Sequence, residues 1–174
     1  TAIERAFGEH GVLLFRDQPM TAPQLVAFSE HFGPLQPHVQ RSYQHPEAPE
    51  VVVMTNRKAG GALAGVRARR GAIEDPRNGW HSDLSYDPVP AKATLLHAQE
   101  VPSSGGNTCF TNVSLAYRSL SDSLQARLRG LEAEFIYGGH SRNKSTAMAA
   151  SALDKQAQAA ARAVHPVVTA HPVT

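Results

Sequence analysis

One cysteine, Cys109, and one tryptophan occur in 174 residues. A lone cysteine excludes a disulfide framework and a thiolate metal cluster, and it fits a reducing cytoplasm. No run of about 18 apolar residues and no signal-peptide pattern is present, so nothing reads as a membrane span or an export signal. Neither sign of charge dominates: 17 Lys and Arg face 15 Asp and Glu, for a formal net charge of +2. That balance draws neither nucleic acid nor a membrane surface. The one basic cluster, Arg67, Arg69 and Arg70, lies among Gly60, Gly61, Gly65 and Gly71. It reads as a solvated loop, with a lid attracting an anionic substrate as the functional alternative. At this length the expectation is a single domain, residues 1–174, with enough chain for a core.

Local signals divide the chain. Residues 1–9 read as the end of an amphipathic helix closed by His10-Gly11, and Val12-Leu13-Leu14-Phe15 as a buried strand. Thr21 with Gln24 three residues later is a capping box, opening a helix that Gly33-Pro34 stops. Val51–Met54 is β-branched and reads as a strand. Residues 56–79 are rich in Gly and Arg, a loop long enough to be functional or mobile. Ala93–Ala98 and Thr108–Thr111 read as strands around a turn at Ser103-Ser104-Gly105-Gly106, where either Gly can take φ > 0. Asn112 or Ser114 caps a helix through Tyr117, and a second helix runs from about Ser121 to Leu131. The Ala-rich stretch from Ser145 to Val164 has high helix propensity but a thin apolar face, so a surface helix or a partly ordered lid is expected there. His165–Thr174, with His-Pro-Val at both ends, reads as an irregular strand interrupted by Pro.

The chemistry concentrates at Trp80-His81-Ser82-Asp83-Leu84. Residues two apart on an extended backbone project to the same face, so an imidazole and a carboxylate converge here. They can supply two of the three ligands of a two-His-one-carboxylate site for Fe(II), which leaves three positions open. A loop His beside a turn-forming Asp is the bland alternative for so short a motif, and the flanking residues decide between them.

Those flanks are Tyr86, Pro88 and Pro90, then Ala93-Thr94-Leu95-Leu96, then Val101-Pro102-Ser103-Ser104-Gly105-Gly106-Asn107-Thr108. In that order they resemble the taurine dioxygenase family, Fe(II)- and 2-oxoglutarate-dependent oxygenases that also include the aryloxyalkanoate dioxygenases. Gly11–Gln18, Phe28–Leu35, Ser114–Leu131 and His165–Thr174 extend the resemblance, with residues 56–76 and 138–163 least matched. The resemblance implies a mixed α/β fold, a double-stranded β-helix (jelly roll) with flanking helices, of which only the N-terminal portion is expected here. In the family a distal His and an Arg that holds 2-oxoglutarate lie beyond the His-Pro-Val segment. The expectation is therefore an incomplete domain, an internal portion of a longer polypeptide.

By the same resemblance His81 and Asp83 are metal ligands, and no further catalytic residue is implied. Thr108, in a Gly-Gly-x-Thr pattern, would contact the distal carboxylate of 2-oxoglutarate. His38 stands where taurine-cleaving relatives place a His on the substrate's anionic head; a half-exposed loop His is the alternative. Trp80 and Tyr86 would wall the pocket, although core packing explains an aromatic there equally well. Arg77 replaces a substrate-contacting Asn and Arg41 replaces an aromatic residue, which speaks against taurine and for another anion. The remaining histidines, His10, His31, His45, His97, His140, His165 and His171, read as surface, packed or strand residues.

The implied cofactors are Fe(II), 2-oxoglutarate as cosubstrate and O2. The implied reaction hydroxylates a small, anionic sulfonate, sulfate ester or aryloxyalkanoate with release of succinate and CO2. Rival readings are a non-catalytic or metal-binding member of the same fold that lacks a complete triad, and a Zn(II) hydrolase with a water-activating base nearby. A small molecule is the expected partner, with no nucleic acid or membrane, and a homo-oligomer is left open.

Overall fold

The computed structural model describes residues 1–39, 41–55, 80–137 and 161–172. Arg77, the basic cluster, His140 and most of the Ala-rich stretch lie outside the described residues.

Helix α1 spans Ala2–His10, with Thr1 as N-cap in a capping box with Glu4 and with Gly11 at φ 71° as its C-cap. Helix α2, Ala22–Ser29, opens on the expected box: the Thr21 hydroxyl accepts from Gln24 N, and the Gln24 side chain accepts from Thr21 N. A 3-10 turn, Glu30–Phe32, continues it to Gly33. A second 3-10 turn, Arg41–Tyr43, leads into a short antiparallel pair, β1 (Gln44–His45) with β2 (Ala48–Val52). Asn112 caps α3 (Val113–Arg118), and Ser121 caps α4 (Asp122–Leu128). A second antiparallel pair follows, β3 (Glu132–Ile136) with β4 (Arg162–Pro166).

Hydrophobic contact is local. Phe28 stands edge-on to Phe15 and to Phe32, with ring centroids 6.5 and 5.6 Å away. Ala48 in β2 is the only fully buried apolar residue among those described. On β3 and β4 half-buried residues alternate with exposed ones; Ala133 lies opposite His165, and Phe135 opposite Ala163.

Several expected strands are not formed. Val12–Phe15, Ala93–Ala98 and Thr108–Thr111 belong to no sheet among the described residues, and Leu14, Leu96 and Phe110 are exposed. A strand is defined by the neighbour that takes its N–H and C=O groups, and among the described residues no such neighbour pairs with these segments. Arg162–Val164, the end of the Ala-rich stretch, lie in β4 rather than in a helix, because pairing with β3 overrides the local propensity. The second helix stops at Leu128 rather than Leu131. Among the described residues there is no closed barrel, and the sheets have two strands each.

The segment that matters for the site, Asp87–Lys92, is fastened at four points. Gln36 Nε2 donates to Val89 O at 2.6 Å, and Lys92 Nζ donates to Phe32 O at 3.1 Å. His165 Nε2 donates to Asp87 O at 2.9 Å, and His171 Nε2 donates to Lys92 O at 2.8 Å. Two histidines that could have been read as ligands therefore act as clasps, each on a backbone carbonyl. His97 does the same: its Nε2 bonds Gln18 O at 3.0 Å, while Gln99 Nε2 donates to its Nδ1 at 2.7 Å.

Candidate metal centre

His81 stands just before a tight turn, and Asp83 is the first residue in it. His81 Nε2 lies 3.3 Å from Asp83 Oδ1, so the two donor atoms do converge. Both side chains are open to solvent, at 73% and 48% exposure. The other carboxylate oxygen, Oδ2, accepts a hydrogen bond from Thr94 Oγ1 at 2.9 Å. The next residue, Leu84, has φ 52°. A bulky side chain in the left-handed region costs about 1–2 kcal/mol, so the turn carries strain directly beside the carboxylate. Asp87 N bonds back to Leu84 O at 2.9 Å and closes that turn.

Behind the pair stands a row of rings. Tyr86, at the end of the turn, meets Tyr137 edge to face at 4.9 Å, and Tyr137 meets His38 edge to face at 6.0 Å. Tyr137 is placed by β3, which it directly follows, and by its N–H bonding Ala161 O at 2.9 Å. Burial lowers the His38 imidazole below the ordinary histidine range, while the negative charge of Asp83 pulls it partly back up. Burial, then Tyr137, Asp87 and Asp83, push the Tyr86 phenol up to about 12. Burial, then Tyr43, raise that of Tyr137. Tyr86 and His38 are thus both neutral near pH 7. The Tyr86 hydroxyl oxygen is buried and has no hydrogen-bond partner among the described residues.

Of the residues singled out in the sequence, His38, His81, Asp83 and Tyr86 are brought into one neighbourhood. Trp80 flanks it with its side chain 43% exposed. Thr108 is exposed in the extended segment beyond the turn, and Arg77 lies outside the described residues. Both glycines of that turn take φ > 0, Gly105 at 74° and Gly106 at 71°. Two site residues escaped the sequence reading, Thr94 and Tyr137. Tyr137 carried a local signal, since Glu132-Ala133-Glu134-Phe135-Ile136 alternates with period two and points to a strand ending beside it.

An imidazole nitrogen and a carboxylate oxygen at this separation suit an Fe(II) ion held on one face. No third His, Cys, Asp or Glu clusters with them among the described residues. Such a pair could supply two of the three protein ligands of a two-His-one-carboxylate centre, the type found in non-haem iron oxygenases.

Comparison with known proteins agrees. The chain belongs to the taurine catabolism dioxygenase TauD, TfdA family, whose model matches residues 1–174. It is 37% identical over 135 residues to the α-ketoglutarate-dependent 2,4-dichlorophenoxyacetate dioxygenase of Cupriavidus pinatubonensis, covering 76% of this chain and 47% of that protein. It is 32% identical over 133 residues to the (S)-phenoxypropionate/α-ketoglutarate-dioxygenase of Sphingobium herbicidovorans, covering 75% and 42%. Against the α-ketoglutarate-dependent sulfonate dioxygenase of Saccharomyces cerevisiae it is 29% identical over 171 residues, covering 95% and 38%. The chain spans about half the length of the curated relatives it matches. No solved structure matches it. None of the described helices is long and apolar enough to cross a membrane.

Proposed function

We propose that the whole gene product carrying this chain is an Fe(II)- and 2-oxoglutarate-dependent dioxygenase. Its substrate would be a small organic anion of the aryloxyalkanoate, sulfonate or sulfate ester class. The observation that carries this reading is the meeting of His81 Nε2 and Asp83 Oδ1 at 3.3 Å, in a chain whose family is one of dioxygenases. When bound, iron supplies the activation of O2: 2-oxoglutarate loses CO2 and becomes succinate, one oxygen atom enters the succinate and the other converts a substrate C–H to C–OH.

The protein's part is to hold and orient. His81 and Asp83 would take one side of the ion, with a His outside residues 1–174 as the third ligand. On this reading the chain is the N-terminal portion of a jelly roll with flanking helices. Thr108 contacts the distal carboxylate of 2-oxoglutarate. His38, neutral, would offer an N–H to the anionic group of the substrate, while the ring of Tyr86 would wall the pocket. Tyr137 packs against both of those rings and would hold them in place, Trp80 would wall the rim, and Arg77 would add attraction for the anion. A hydroxyl placed on a carbon that bears an aryloxy or sulfonate group collapses to a carbonyl and releases the phenol or sulfite. A reducing cytoplasm would keep the iron ferrous.

The test is succinate release from the whole gene product given Fe(II), 2-oxoglutarate, O2 and a panel of phenoxyalkanoates, alkylsulfonates and alkyl sulfates. Succinate that depends on one of these substrates, and that disappears in His81→Ala and in Asp83→Ala, is expected. Tight metal binding with no succinate across the panel would sink the enzyme reading and favour a non-catalytic member of the fold.

A further inference from the structure

We propose that Thr94 is a positioning residue for the metal-binding carboxylate, selecting which oxygen of Asp83 faces the ion. The inference rests on His81 and Asp83 being ligands and adds a residue to which no role has been given. Thr94 Oγ1 is 2.9 Å from Asp83 Oδ2, while Oδ1 is the oxygen that lies 3.3 Å from His81 Nε2. An ionised carboxylate only accepts, so the hydroxyl is the donor, and a bond to a charged acceptor is stronger than a neutral one.

The carboxylate needs such a guide. It is 48% exposed, it sits on a turn strained at Leu84, and rotation about its terminal torsion is broad and roughly two-fold. Left alone, it could present either oxygen or both. Thr94 comes from a different segment and is β-branched, so its side chain is stiff about χ1. The hydroxyl ties up Oδ2 and leaves Oδ1 as the single oxygen aimed to the side where the imidazole points. Partners of this kind, one step removed from the metal, typically change metal affinity by about 10- to 100-fold when lost.

The experiment is an anaerobic Fe(II) titration of the whole gene product by calorimetry, repeated with Co(II) for its visible absorption, alongside thermal unfolding of the metal-free form. Thr94→Val keeps the shape and removes the donor; Thr94→Ala removes the donor without a new methyl group; Thr94→Ser keeps the donor. Val and Ala are expected to weaken both metals by roughly 10- to 100-fold, with Ser close to wild type and all four metal-free proteins melting alike. The Co(II) spectrum of the Val variant should also differ in shape, because the coordinating oxygen is no longer fixed. If Asp83→Ala abolishes binding but Thr94→Val binds as wild type does, the positioning role is overturned and the ligand assignment stands. If Asp83→Ala leaves binding unchanged, both are overturned. Equal losses in Ser, Val and Ala would show that Thr94 acts through packing, and would also overturn the proposal.

Discussion

Replacing Tyr86 with Phe removes one oxygen atom and leaves the ring against Tyr137. That oxygen is buried and has no hydrogen-bond partner among the described residues. A buried, unmatched polar group costs about 1–3 kcal/mol in mutational measurements. The residue as a whole is only half-buried, so the low end applies, and Tyr86→Phe should stabilise the protein by about 1 kcal/mol. In a chain of this size that raises Tm by about 2–4 °C. The same change should leave KM close to wild type, because a hydroxyl oxygen that solvent does not reach is not placed to meet a substrate.

A third consequence concerns alkali. The phenol is raised to about 12 in the fold against about 10 when unfolded, so the unfolded chain releases its proton first. Stability is therefore lost as pH rises from 10 through 12, and the Phe variant should lack that part of the loss. Guanidinium unfolding at pH 7 and pH 11, with steady-state kinetics at pH 7, measures all three. A variant less stable than wild type at pH 7 would show that the hydroxyl is bonded in the fold. A KM raised about tenfold or more would show that the hydroxyl reaches the substrate and would refute the reasoning.

Other expectations follow from the same geometry. Gly105→Ala and Gly106→Ala both put a Cβ where φ is positive, but only at Gly106 does that Cβ meet Pro102 Cγ, at 3.0 Å. Thermal melts should show about 1 kcal/mol lost at Gly105 and more at Gly106, with Gly106→Ala also raising KM for 2-oxoglutarate through Thr108. The His38 imidazole is lowered by burial, so the unfolded chain takes up a proton first as pH falls. Stability should therefore drop below the ordinary histidine pKa of about 6.5, and His38→Gln should flatten that limb in urea titrations at pH 5 to 7. Thr21→Ala, which removes the cap from α2, should cost about 1 kcal/mol by the same titration and leave Fe(II) binding as it was.

What could be read from the sequence was what depends on near neighbours. The Thr21 and Gln24 box, a cap at Asn112 or Ser114, a helix starting near Ser121 and a glycine turn with φ > 0 are set within a few residues, and the structure has the box, the Asn112 cap, the helix and the turn. The converging pair at His81 and Asp83 is equally local. Strand assignments fared worse because a strand requires a partner elsewhere. Val12–Phe15 has the apolar run but pairs with no strand among the described residues, whereas Arg162–Val164 has helix-favouring composition and pairs with β3 regardless. Thr94 and Tyr137 touch their partners only through tertiary contact. Nothing in the residues around them announces it, apart from the period-two pattern that ends beside Tyr137.

The most direct test is a crystal structure of the whole gene product grown without oxygen in Fe(II) and 2-oxoglutarate. One ion should be in contact with both His81 Nε2 and Asp83 Oδ1, with Thr94 Oγ1 still on Oδ2 and the 2-oxoglutarate carboxylate reaching Thr108. An ion bound elsewhere, or one in contact with neither His81 nor Asp83, would contradict the assignment of this pair as the iron half-site.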